Sequence, residues 1–141
     1  MKTIQEVQDE IIDNFSLFDG DMESTLFYLM DLGKKLPAMN ATHQTDDFIV
    51  KGCQSKVWLF PQKVEGKIVF EADSNTEITK GLVSLLVQIW SNRTSEEILN
   101  SELYFIDKIG MSRMIGSQRS NGFASMIKQM KMYALAYQQS N

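Results

Sequence analysis

The 141-residue sequence holds one cysteine, one histidine and two prolines. A single thiol closes no intrachain disulfide. One thiol and one imidazole build neither a zinc knuckle nor a self-contained iron–sulfur ligand set. Two prolines and eight glycines leave no room for a collagenous or Pro-rich design. Positive charge is short as well: 14 Lys and Arg against 18 Asp and Glu give a net charge of −4. A field of that sign repels phosphate backbones and argues against nonspecific nucleic-acid binding. No apolar run approaches the roughly 20 residues that span a bilayer. The greasiest window, Leu82 to Trp90, is interrupted by Ser84 and Gln88. The opening MKTIQEVQDEIID carries acids early and lacks the apolar centre of a signal peptide. A reduced, cytoplasmic setting without membrane contact is the expectation.

What remains is ordinary globular material, 43% hydrophobic and 23% charged, enough to build a core. The length suits one domain, residues 1–141. Ile4, Val7, Ile11, Ile12, Phe15 and Phe18 recur at helical spacing, with Thr3 as N-cap and Glu6 completing a capping box. Asp19-Gly20-Asp21 breaks that helix. A second, carrying Leu26, Leu29, Met30 and Leu32 to Leu36, is ended by Pro37. PAMNATHQTDD then reads as a polar loop with His43 solvated. Val57 to Phe60 and Lys67 to Ala72 predict an antiparallel hairpin around Glu65-Gly66, extended by a short strand at Phe48 to Val50. Asp73-Ser74-Asn75 leads into a buried helix through Ile78, Leu82, Leu85, Leu86, Ile89 and Trp90. Ser95-Glu96-Glu97 starts a short one. Leu103 to Ile115 has no clear period. Phe123, Met126, Ile127, Met130, Tyr133, Ala134 and Tyr137 share one face of a C-terminal helix. The fold class is α+β, a small antiparallel sheet packed against several helices.

The sole thiol, Cys53, lies in Lys51-Gly52-Cys53-Gln54-Ser55-Lys56-Val57-Trp58. Free cysteine is usually a buried small hydrophobe. Against that, Gly52 permits a sharp turn, Gln54 and Ser55 are polar, and Lys51 and Lys56 would favour a thiolate if they lie beside it. The residues leave both readings open. His43 as a general base would make a Cys–His pair, without a local signature. The acidic pairs Asp46-Asp47 and Glu96-Glu97 read as a loop end and a first helical turn. Met126 and Met130 read as core, and the spacing of Gly110, Gly116 and Gly122 makes no phosphate loop.

Gly52-Cys53-Gln54-Ser55-Lys56-Val57-Trp58 resembles the Gly-Cys-x-Ser-x-Val-Trp motif of the SufE family, sulfur-acceptor proteins of iron–sulfur cluster assembly. Leu32-Gly33 with Leu36-Pro37, Asp73-Ser74 with Ile78, Lys80, Gly81 and Leu82, and Arg119-Ser120 with Gly122, Met126 and Ile127 resemble further family blocks in the same order. Asn75, Lys56 and Gln118 depart from the family's usual residues. The resemblance implies the α+β fold shared with iron–sulfur scaffold proteins. It implies Cys53 as persulfide acceptor on a loop tip, supported by Gly52, Gln54, Ser55 and Arg119. The implied partners are a cysteine desulfurase carrying pyridoxal phosphate and a downstream scaffold or other acceptor, with a homodimer open. No metal or cofactor of the chain's own is implied. Two rivals stand beside this: a stand-alone cysteine enzyme using His43 or Arg119, and an interaction module with an inert Cys53. A nucleophile that must both project and be protected also leads to the expectation that Cys53 is largely covered in the free protein.

Overall fold

The computed structural model describes residues 1–140. Thr3 caps α1 (Ile4–Ser16), its side chain accepting from the Glu6 amide while the Glu6 carboxylate accepts from the Thr3 amide. Asp21 caps α2 (Met22–Lys34), which stops three residues short of Pro37. The two helices lie beside α3 (Glu77–Trp90), the most buried helix of the fold. At the α2–α3 crossing the backbones touch. A Cβ on Gly81 would fall 2.0 Å from the Leu29 carbonyl oxygen, and one on Gly33 would fall 2.9 Å from the Gly81 nitrogen. Only glycine permits that approach.

β1 (Val57–Val64) and β2 (Lys67–Ser74) form a two-stranded antiparallel sheet, with Val57 opposite Ser74 and Val64 opposite Lys67. The turn places Glu65 and Gly66 at φ 51° and 81°, the paired left-handed conformation that suits a two-residue hairpin. Val57, Leu59, Ile68, Phe70 and Ala72 point one way and are buried; this face packs against α3. The strand expected at Phe48 to Val50 is instead a single bridge from Ile49 to Trp58, preceded by a 3₁₀ turn at Asp46–Phe48. The polar loop likewise carries a 3₁₀ turn, Ala41–His43.

Past α3, Thr94 builds a second capping box at the start of α4 (Ser95–Asn100). The stretch without a clear period resolves into the short α5 (Phe105–Lys108) and the beginning of α6 (Met111–Gln139). Helix α6 breaks at Gly116, whose φ of 83° and ψ of 170° are non-helical. Met111 and Ile115 are buried before the break, and Phe123, Met126, Met130 and Ala134 after it. Buried apolar side chains from Ile11 to Ala134 make one core cluster. The architecture is α+β, as expected. No helix among the described residues is long and apolar enough to cross a membrane.

Candidate functional site

Cys53 sits on the connection between the Ile49 bridge and β1, and both ends of that loop are tied. Upstream, the Val50 amide donates to the Val57 carbonyl at 2.7 Å. Downstream, the Lys56 amide donates to Asn75 Oδ1 at 2.9 Å. The Lys56 carbonyl accepts from the Asn75 amide and from the Ser74 hydroxyl. Thr76 and Thr79 hydroxyls both donate to Ser55 Oγ, at 2.9 and 3.3 Å. This is why β2 runs two residues beyond the expected Ala72 and why Asn75 precedes the helix rather than belonging to it. Between the ties, Gly52 is exposed at φ 94°, and a Cβ there would meet Ser125 Oγ at 2.6 Å.

The thiol itself is half-buried, so it is neither wholly covered nor projecting. Its Sγ–H donates to the Gly122 carbonyl oxygen on α6 at 3.3 Å. Burial pushes the Cys53 pKa above the usual thiol value. Lys51 and Lys56 would have favoured a thiolate only if they lay beside the sulfur; burial is what shifts this thiol, and it favours the neutral form. Lys51 borders a different surface depression, with Asp46, Asp47 and Lys128.

A cavity of about 490 Å³ opens beside the thiol. Cys53, Gln54 and Ser55 form one wall, and the break in α6 brings Gly116 and Arg119 to another. Arg119 is exposed on this cavity's rim, and among the described residues no hydrogen bond or ion pair ties its guanidinium. Cys53, Gln54, Ser55 and Arg119 thus meet at one cavity, with Gly52 next to it. Gly122 and Thr79 line the same cavity and were not singled out as site residues from the sequence. Gly122 stood in a recognisable block, but nothing in one sequence says that its neighbour in space is Cys53.

His43 does not belong here. Its ring stacks on Phe60, centroids 3.6 Å apart and planes 3° from parallel, and its Nδ1 lies 3.0 Å from Glu71 Oε2. It is half-buried rather than solvated and lines no part of the Cys53 cavity. The Cys–His pair is therefore not formed, because strand register places Glu71 and Phe60 under the loop instead. Among the described residues, no three His, Cys, Asp or Glu side chains gather as they would to hold a metal ion.

Fold and site together define an α+β domain with a single loop-borne thiol at the edge of a cavity. The chain belongs to the SufE family: the family's domain, described as Fe-S metabolism associated, matches residues 9–134. A SufE-like protein of Rhizobium meliloti is 36% identical over 131 residues, covering 89% of this chain and 93% of that one. One from Rhizobium etli is 38% identical over 128 residues, covering 87% and 86%. The chloroplastic/mitochondrial SufE-like protein 1 of Arabidopsis thaliana is 34% identical over 140 residues, which is 96% of this chain but 37% of that longer protein. The fold alone is shared with a solution structure of a hypothetical protein from Thermus thermophilus. The TM-score is 0.75 at 14% identity, over 92% of this chain and 94% of that one. Membership of the family places the chain in iron–sulfur metabolism.

Proposed function

We propose that this chain is a sulfur acceptor. Cys53 takes the outer sulfur of a persulfide on a cysteine desulfurase and passes it on for iron–sulfur cluster assembly. The observation that carries the reading is the position of Cys53: the sole thiol of a SufE-family chain, on a tied loop, at a cavity that Arg119 also borders.

In the transfer, Cys53 gives its proton to solvent and its sulfur electron pair forms a bond to the donor's outer sulfur. The donor's S–S bond breaks and its cysteine leaves as a thiolate. The sulfane sulfur changes carriers without net oxidation. The step needs one accessible thiolate and neither a metal nor a second thiol. In this reading the pyridoxal phosphate belongs to the desulfurase, and the chain has no cofactor of its own. It acts as a partner that speeds the desulfurase by draining its product sulfur, in a reduced, cytoplasmic compartment. A downstream scaffold or other acceptor receives the cargo.

A half-buried thiol with a raised pKa is a poor nucleophile at rest, so contact with the donor has to lift it from Gly122. Gly52 supplies the backbone freedom, and the ties at Val50 and Lys56 confine movement to the segment between them. Moving so short a loop costs on the order of a few kcal/mol while the core stays packed.

Incubation with a cysteine desulfurase and cysteine is expected to add one sulfur to the chain's mass and to raise the desulfurase turnover. Cys53→Ser is expected to lose both effects, with its melting temperature changed by no more than about 2 °C. Stimulation that survives in the serine variant, with no mass gain in the wild type, would overturn the reading.

A further inference from the structure

We propose that Gly122 is a positioning residue of this site: its carbonyl and its missing side chain form a seat that accepts the empty Cys53 thiol and rejects the loaded persulfide. The proposal rests on the sulfur-acceptor reading and concerns how the carrier's shape follows its cargo.

Gly122 is buried within α6, a position where glycine is disfavoured by its backbone entropy. Something must make it tolerable there. A Cβ at Gly122 would lie 3.2 Å from Cys53 Sγ, 3.7 Å from Cys53 Cβ and 3.8 Å from Cys53 Cα. The three nearest atoms thus all belong to one residue. Gly33 and Gly81, by contrast, are needed for the approach of two helix backbones. The space left by Gly122 is occupied by Cys53.

The second half of the seat is the Gly122 carbonyl, which accepts the thiol hydrogen. A persulfide has no hydrogen on its inner sulfur, so this bond cannot form once sulfur is loaded. The outer sulfur ionises more readily than a thiol, and as an anion it is repelled by the negative end of a carbonyl dipole. The cavity of about 490 Å³ provides room in another direction, bordered by the untied guanidinium of Arg119. Loading therefore turns the sulfur away from Gly122 and toward the Arg119 side, and the loop is released from α6. Donor and recipient then meet differently shaped surfaces on the empty and loaded carrier.

Two measurements test this without a desulfurase, so their failure is distinguishable from failure of the sulfur-acceptor reading. First, the wild-type chain is loaded with inorganic polysulfide, the gain of one sulfur is verified by mass, and hydrogen exchange over residues 50–56 is compared with the unloaded chain. Exchange is expected to accelerate about tenfold, the factor that a bias of about 1.4 kcal/mol between two loop states produces. Second, unloaded Gly122→Ala is expected to react with iodoacetamide about tenfold faster than wild type for the same size of bias. Its melting temperature should be equal or higher, because alanine favours the helix. A glycine with a merely structural role would lower the melting temperature and leave the relative rate at Cys53 unmoved. Unchanged exchange in verified persulfide, or wild-type alkylation in a folded alanine variant, overturns the proposal.

Discussion

Two demands pull against each other at Cys53. Covering the sulfur protects it from solvent thiols, while the same burial keeps it protonated and slow. The sign of that conflict is measurable. A thiol whose pKa is raised by folding holds its proton to higher pH than the same thiol in the unfolded chain. The alkylation rate of Cys53 should therefore continue to climb at pH values where the urea-unfolded protein has levelled off. A midpoint in the folded protein at or below the unfolded one would contradict the burial argument. Arg119 carries the complementary prediction. Arg119→Ala is expected to slow sulfur transfer several-fold while moving the melting temperature by less than about 2 °C, because the side chain is exposed and untied. Transfer at the wild-type rate would return Arg119 to the status of an ordinary surface arginine. The local pattern in the sequence pointed to Cys53 and Gly52, and the resemblance alone pointed to Arg119. It could not place His43, whose partners Phe60 and Glu71 are fixed by a strand register that no local pattern encodes.

Among the elements, the contact that holds the site's frame is the crossing of α2 and α3. Gly81→Ala would drive a Cβ to 2.0 Å from a backbone oxygen that cannot yield without moving a helix. A loss of about 3 kcal/mol or more is expected, lowering the melting temperature by roughly 10 °C in thermal unfolding. A variant as stable as wild type would mean the helices separate at little cost. Helices and the hairpin were legible where one apolar period ran unbroken, as in α1, α3 and the later part of α6. Legibility failed where a period was reset. The Gly116 break shifts the phase between Ile115 and Phe123, so no single helical stripe joins the two halves of α6. It failed again at residues 48–50, where the Phe48 and Ile49 amides donate back to the Thr45 and Asp46 carbonyls and a single bridge to Trp58 stands in place of a strand. That break in α6, just past the stretch without a clear period, is also what brings Gly116 and Arg119 to the cavity.

Across the whole molecule, the site is assembled from segments distant in the chain. Gln8 is buried and spans α1 to the segment before α5, donating to the Glu102 carbonyl and accepting from the Phe105 amide. Tyr104 reinforces the same join: its single O–H donates to Asp9 Oδ1 at 2.7 Å, with the Gln5 carbonyl oxygen 3.1 Å away as the alternative acceptor. The bond from Cys53 to Gly122 closes over 69 residues. That separation sets an order of events during synthesis. Translation adds about 5–20 residues per second, so Cys53 is polymerised roughly 3–14 s before its cover on α6 exists. Throughout that interval the nascent chain carries a bare thiol with an unfolded chain's ordinary acidity. A ribosome stalled before Met111 would thus display the protein's most reactive atom with none of the helix that shelters it.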